Sequence, residues 1–380
     1  MDFTIPDDWK DLQRTVRQFT TERIEPIWKE IEEHDEIPAD VLKAAGRIGL
    51  FGLTIPEEFG GLGLPMLAKA LVYQELGRTH AGFTSIIGTH CGIGTTAIVA
   101  LGSDAQKQAY LPKLATGEYV GAFGLTEPGA GSDAAAISTI AVRQGDRWIL
   151  NGTKHFITNA HLAQVFTVFA VTDKAKGSRG ISAFILPRDA KGFTISRFQP
   201  TMGLRGSHVA ELVFDNCEIP ADNLLGPEGE GYITALRTLA QGRVGISARC
   251  VGSCERLIEM SVEYARQRKQ FGQPIADFQL VQAHLAEMAT ETAAARSLAY
   301  EIAWRVDQGQ PVRKEAAMAK LFCTETYGRV VDKAVQIHGG MGYCKDVQVE
   351  HFYRDARITR IYEGTSEIQK LIIARELLGR

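Results

Sequence analysis

Cysteine is scarce and unpatterned in this chain: six among 380 residues, at positions 91, 217, 250, 254, 323 and 344, with no Cys-x-x-Cys. Cys250 and Cys254 share a helical face, but a zinc site needs two more nitrogen or sulfur ligands at short spacing, and none stand nearby. The thiols are expected to be reduced and mostly buried, with no metal bound. Charge of one sign is also missing. The 42 Lys+Arg face 45 Asp+Glu, a formal net of −3, with no long like-charged block. A nucleic-acid binder shows a basic excess or stripe, so that class is excluded. No run of about 18 apolar residues occurs, so no membrane-spanning helix is expected. Met1-Asp2-Phe3-Thr4-Ile5-Pro6 lacks the basic and apolar regions of a signal peptide and the Arg-rich look of a transit peptide. The expected location is the cytoplasm, or the mitochondrial matrix for a processed eukaryotic chain. Internal repeats and low-complexity tracts are absent as well.

What is present is the balance of a folded protein, 45% apolar and 23% charged. At about 100–200 residues per domain, the length suggests two or three domains. Three textures follow one another. Residues 1–118 read as helices: Trp9, Leu12, Val16 and Phe19, continued by Ile24, Ile27 and Ile31, make one apolar face. Further helical patterns cover Pro38–Ile48 and roughly 66–77, 84–101 and 104–115. Residues 119–225 change to short runs rich in Val, Ile, Phe and Thr between turn signals, such as Val120–Leu125, Ile137–Val142, Arg147–Leu150, Val165–Val171, Ile181–Leu186, Phe193–Ile195 and Val209–Phe214. No helical pattern intervenes, which predicts an antiparallel barrel or sandwich rather than a βαβ sheet. Residues 226–380 are helical again. Val281, Leu285, Met288, Thr292, Ala295, Ala299, Ile302 and Val306 form a heptad-like seam, the mark of a bundle helix. Helices are also expected around 315–337 and 366–378, the last with Ser366 and Gln369 at capping-box spacing. The fold class is α+β: helical domain, β domain, helical bundle.

Cys91-Gly92-Ile93-Gly94-Thr95-Thr96-Ala97 matches a dinucleotide-binding glycine pattern, but no strand precedes it, so its small residues are read as helix packing. Four other stretches carry candidate chemistry. Phe123-Gly124-Leu125-Thr126-Glu127-Pro128-Gly129-Ala130-Gly131-Ser132-Asp133 leaves a strand for a Gly/Pro-rich loop, with hydroxyls at Thr126 and Ser132. Such a loop lets a ligand approach the backbone, and equally serves as a plain turn. Gln336-Ile337-His338-Gly339-Gly340 reads first as a helix stop. Arg266-Gln267-Arg268-Lys269-Gln270-Phe271-Gly272 offers cations for a pyrophosphate and a ring for stacking, or simply a charged helix end. Ile361-Tyr362-Glu363-Gly364-Thr365 places a carboxylate beside apolar bodies, which raises its pKa toward that of a neutral-pH base; a solvated loop glutamate is the plainer alternative.

In order and wording together, these stretches resemble the acyl-CoA dehydrogenase family across essentially the whole chain. Leu125–Asp133, Arg268–Gly272, Gln336–Gly340 and Tyr362–Thr365 correspond to four of its motifs, and length and ending look most like the short-chain, butyryl-CoA type. The resemblance implies a helical domain, a β domain and a four-helix bundle. It also implies FAD and a homotetramer. The reaction it implies, within fatty-acid β-oxidation, is α,β-dehydrogenation of an acyl-CoA thioester to a trans-2-enoyl-CoA, with electrons passed to an electron-transferring flavoprotein. By resemblance, Glu363 is the base that takes the α proton. Its own N–H, with Gly364 beside it, holds the thioester carbonyl. Phe123, Leu125 and Thr126 lie against the flavin on one side and Phe156, Ile157 and Thr158 on another, with Phe at 156 where Trp is usual. Ser132 contacts the CoA arm and Arg243 supplies positive charge to the substrate. Arg268, Phe271 and Gln279 correspond to contacts with a neighbour's FAD, Gln336, Gly339 and Gly340 to its ADP portion, and Thr365 and Glu367 to flavin contacts at the last helix. Some relatives carry the base at the position of Gly242, which leaves Glu363 as the sole candidate here. Ala240 stands where many short-chain-like members have Asp. The same scaffold also serves enoyl-CoA reductases, oxidases and flavin monooxygenases.

Overall fold

A computed structural model describes residues 4–379; Met1, Asp2 and Phe3, on which the reading of the N-terminus partly rests, and Arg380 lie outside them. Seven helices come first: α1 (Asp7–Arg23), α2 (Trp28–His34), α3 (Ala39–Arg47), α4 (Met66–Gly77), α5 (Ala81–Thr89), α6 (Thr96–Leu101) and α7 (Asp104–Thr116). The apolar face expected to run on from Phe19 to Ile31 does so, but through a break. A 3₁₀ turn at Glu25–Ile27 separates α1 from α2, because Pro26 has no N–H to donate. The stretch expected as one helix over 84–101 is likewise two helices joined by a π-turn, His90–Gly94. A Cβ on Gly94 would stand 2.7 Å from the Gly121 carbonyl oxygen, so glycine there lets the first strand pack against the turn. Ala81–Leu101 is long and apolar enough to cross a membrane by length and composition, yet most of it is buried inside the protein.

Strands β1 (Gly121–Gly124), β2 (Ile140–Gln144), β3 (Arg147–Thr158), β4 (Val165–Val171), β5 (Ile181–Pro187), β6 (Phe193–Gln199), β7 (Val209–Pro220) and β8 (Leu224–Leu225) form one sheet, in the order β6-β7-β3-β2-β4-β5-β8 with β1 beside β4. It is mixed rather than wholly antiparallel as expected. β1 runs parallel to β4, pairing Gly121 with Val165 through Gly124 with Val168, and no pairing joins β6 to β8 among the described residues. Side-chain alternation has the same period in both orientations, so it does not distinguish them. β3 and β7 also outrun their apolar cores, each spanning 12 residues. β3 does so across two register shifts. Gly152 (φ 148°) sits at the first shift, where a Cβ would lie 2.5 Å from Thr139 Oγ1.

The remaining helices are α8 (Gly231–Gln267), α9 (Gln279–Asp307), α10 (Arg313–His338), α11 (Val349–Thr359) and α12 (Ser366–Leu377), with a small β9–β10 hairpin (Lys269–Gln270, Gln273–Pro274) after α8. The expected seam on α9 holds: Met288, Thr292, Ala295, Ala299 and Ile302 are buried, and Val281, Leu285 and Val306 partly so. The cap of α12 is a correction. Thr365, not Ser366, accepts from the Ile368 N–H, while Ser366 Oγ donates to Glu325 at 2.6 Å. α11 was not foreseen from the sequence. One apolar core joins α1–α5 to Val244, Ala248, Ile302 and Ala316 of the bundle. Another joins α6 and α7 to β4, β5 and Ala235 of α8. The three segments therefore share cores, and the site lies where they meet. All six cysteines are free, and all but Cys344 are buried.

Candidate active site

A cavity of about 830 Å³ opens between α4, α5, the π-turn, the ends of β1 and β3, α8 and the turn before α12. Ten of the sequence-predicted residues line it. Phe123, Leu125 and Thr126 come from β1 and its loop, with Ser132 further along. Phe156, Ile157 and Thr158 come from the end of β3, and Arg243, Glu363 and Gly364 from the bundle side. Arg268, Phe271, Gln279, Gln336, Gly339, Gly340, Thr365 and Glu367 do not line it. Phe271 is 93% exposed on the hairpin after α8, and Gln336, Gly339 and Gly340 are exposed at the end of α10. Thr365 caps α12, and Glu367 is exposed in its first turn.

Glu363 sits in the turn between α11 and α12 with φ 51°, followed by Gly364 at φ 97°. A left-handed non-glycine residue costs of order 1–3 kcal/mol, so its surroundings must hold it there. Three side chains do. Arg243 Nε and Gln369 Nε2 each donate to the Glu363 carbonyl at 3.3 Å. Lys320 Nζ and Gln369 Nε2 each donate to the Gly364 carbonyl at 2.8 Å. The Glu363 N–H has no acceptor among the described residues. Its Oε2 is shielded from solvent and unpartnered, and a Cβ on Gly242 would lie 2.2 Å from it. Burial raises the Glu363 carboxyl to about 7, against the downward pull of Arg249, Arg243 and Lys320. A carboxyl at that value is poised to take a proton near neutral pH. The adjoining Tyr362 hydroxyl accepts from Arg249 Nη2.

Sequence reading missed Arg249, Lys320, Gln369, Lys69 and Tyr73. Lys69, Tyr73 and Arg249 line the cavity; Lys320 and Gln369 brace the turn from behind. A lone lysine in an apolar run marks both Lys69 (Ala68, Ala70, Leu71) and Lys320 (Ala316, Ala317, Ala319).

The opposite wall fits a flat aromatic cofactor. Phe156 has φ 58° and is 60% exposed, a strained residue that offers a ring. The Thr126 and Thr158 hydroxyls that line the same wall have no hydrogen-bond partner among the described residues. Phe123 and Leu125 complete an apolar floor.

Family models for the N-terminal, middle and C-terminal domains of acyl-CoA dehydrogenases match residues 6–118, 122–217 and 229–378. The acryloyl-CoA reductase (NADH) of Anaerotignum propionicum is 45% identical over 382 residues, covering 100% of this chain and 97% of its own. Butyryl-CoA dehydrogenase from Megasphaera elsdenii superposes with a TM-score of 0.97 at 38% identity, over 100% of both chains. A chain in the structure of the electron-transferring flavoprotein of Acidaminococcus fermentans superposes at 0.98 with 41% identity, again over 100% of both. The family models and the relatives cover the chain from end to end: it belongs to the acyl-CoA dehydrogenase family and is a flavoprotein oxidoreductase of that family.

Proposed function

We propose that this enzyme carries out FAD-dependent α,β-dehydrogenation of an acyl-CoA thioester, with Glu363 abstracting the α proton. One observation carries the reading: a carboxylate oxygen that is desolvated and unpartnered, in a cavity wide enough for a ligand, with three cations close by. The α C–H of a thioester is a weak acid, so its base must be desolvated and the enolate-like charge met as it forms. The free Glu363 N–H is the donor for the thioester oxygen, and Arg243, held against the same turn, adds positive potential. FAD, when bound against Phe123–Thr126 and Phe156–Thr158, supplies the acceptor for the β hydride. Loss of the α proton to Glu363 and of that hydride leaves a trans-2-enoyl-CoA. Arg237, Arg313 and Arg375 line another reach of the cavity, where they suit the phosphates of CoA, with Ser132 nearby for its arm.

The likeness to a chain solved with an electron-transferring flavoprotein supports such a protein as the electron acceptor. The exposed Phe271, Arg268, Gln279, Gln336, Gly339 and Gly340 support a homotetramer in which each copy completes a neighbour's FAD site. Light scattering should then give the mass of four chains. A second reading is reduction of a 2-enoyl-CoA on the same residues, favoured by the acryloyl-CoA reductase relative; Glu363 would then deliver the α proton. The purified protein should be yellow, and one acyl-CoA from a panel should bleach it without oxygen. Bleaching by an acyl-CoA, against bleaching by NADH with reoxidation by an enoyl-CoA, separates the two directions. A protein unable to take up FAD would sink both.

A further inference from the structure

Two cations that line the cavity, the buried Lys69 and the partly buried Arg249, form no ion pair among the described residues. Lys69 stands in α4 with only 9% of its surface exposed, and it lines the cavity. Among the described residues it has no hydrogen-bond or ion-pair partner. The nearest acid whose charge reaches it is Asp307, whose two oxygens already accept the Met66 and Leu67 N–H groups at 2.5 and 2.9 Å. The Cys91 thiol beside it is pushed up to about 12 by burial and stays uncharged. Arg249 faces the same cavity from α8. It donates to the Thr84 carbonyl at 3.3 Å and to Tyr362, but forms no ion pair among the described residues. Gly88 of α5, also on the cavity wall, packs against it: a Cβ there would lie 3.1 Å from its Nη1.

Helix geometry sets the spacing. Met66, Lys69 and Tyr73 share one face of α4 and all line the cavity. Tyr73 lies within the electrostatic reach of Glu363 and Arg249, and Lys69 is four residues, about 6 Å, further along the helix. An acyl chain whose α carbon meets Glu363 and that runs along α4 passes Arg249, which acts on Glu363 directly, and reaches Lys69 beyond Tyr73. A plain alkyl end would leave two desolvated cations unpaired, which is costly. A carboxylate would give both a charge-assisted hydrogen-bond partner.

We propose that the substrate's acyl group ends in a carboxylate, a short ω-carboxyacyl-CoA, and that Lys69 and Arg249 receive that terminus. The proposal rests on the acyl-CoA reading above. Burial pushes the Lys69 ammonium down from its usual value, which an anion seated beside it would reverse.

The test is a matched panel on the FAD-loaded enzyme: succinyl-, glutaryl- and adipyl-CoA against butyryl-, pentanoyl- and hexanoyl-CoA, scored by flavin bleaching and kcat/KM. Calorimetric binding of the same pairs to the Glu363→Gln variant gives a readout independent of turnover. At least one carboxyacyl thioester should exceed its alkyl partner in both. Lys69→Met should lower that ratio on the order of ten- to a hundred-fold, and Lys69→Arg should keep most of it. Because the readout is a ratio within one variant, a general loss of folded protein does not mimic it. Preference for the alkyl chain at every length, or an unchanged ratio in Lys69→Met, overturns the proposal while leaving the dehydrogenase reading intact. Failure of every thioester to bleach the flavin or bind overturns that reading itself.

Discussion

Glu363 Oε2 occupies the space that a side chain on Gly242 would fill: a Cβ there would lie 2.2 Å from it. Gly242 is buried in the middle of α8, where glycine costs about 0.5–1 kcal/mol relative to alanine. A glycine at this place fits a need for room at the carboxylate rather than for a helix. Gly242→Ala should therefore leave the melting temperature nearly unchanged, since the helix gains what the displaced carboxylate loses. Turnover should fall on the order of 10²-fold, the cost of an ångström-scale misplacement. Wild-type turnover in this variant would show that the carboxylate works from another position.

In the proposed role, Glu363 also sets the pH dependence. With its carboxyl at about 7, the fraction able to accept a proton grows as pH rises through 7, so the dehydrogenation rate should climb there and then level. Stability runs the other way. A carboxyl raised in the folded state binds its proton more tightly than in the unfolded chain, so folding weakens between about 4.5 and 7 as that proton is lost. Glu363→Gln should lose about 10²–10⁴ in rate, keep FAD, and melt higher than wild type above pH 7 but not at pH 4. Equal melting at both pH values would contradict a desolvated carboxylate whose nearby cations do not make up for its burial.

Lys320 is a positioning residue in this scheme. It is fully buried, donates to the Gly364 carbonyl at 2.8 Å and is one of the cations that restrain Glu363. Burial pushes it down to about 8, so its charge is present at neutral pH. Removing that charge frees Glu363 to rise further. Lys320→Met should thus lower turnover and move the rising limb of the pH–rate profile to higher pH, with Lys320→Arg restoring the limb. A drop in rate with the limb unmoved would mean that Lys320 matters for packing alone.

The three-part architecture was legible because each part has its own period: 3.6 in the first helices, 2 in the strands, 3.5 along α9. What escaped was what period does not encode. The parallel pairing of β1 with β4 depends on how the chain returns, and the π-turn at His90–Gly94 leaves the apolar pattern intact. Glu363 was legible through the wording around it, Tyr-Glu-Gly-Thr, and not through its own apolar neighbours. Of its partners, Arg243 was legible by resemblance, while Arg249 and Lys320 were not. Arg243, Arg249 and Lys320 come from α8 and α10, more than 40 residues away along the chain, and meet only in the fold. The lone-lysine signal at 69 and 320 was available, since a charged residue inside an apolar helical run must find a partner or a cavity.

The loop that carries Thr126 and Ser132 is anchored by a buried charge pair, on which cofactor retention should depend. Lys154 Nζ, fully buried on β3, lies 2.7 Å from Glu127 Oε1 and donates to the Leu125 carbonyl at 3.1 Å. Glu127 also accepts from the Ser138 N–H at 2.6 Å, the Ser138 hydroxyl at 2.7 Å and the Thr139 N–H at 2.9 Å. Burial alone would raise Glu127, but Lys154, Thr139 and Ser138 outweigh it and hold the carboxyl at about 2. Its stabilising share is therefore present above about 4.5 and lost as pH falls toward 2. Lys154→Met strands the carboxylate without its cation, a change that typically costs about 3–5 kcal/mol. Denaturant unfolding at pH 7 should show a loss of that order, and acid unfolding should begin at higher pH, because Glu127 without Lys154 protonates sooner. The Leu125 carbonyl loses its donor in the same variant, so Thr126 should hold less firmly to the cavity wall and FAD should dissociate more readily on dilution. A variant within about 1 kcal/mol of wild type that kept its flavin would show that the backbone N–H groups of Ser138 and Thr139 fix the loop without the lysine.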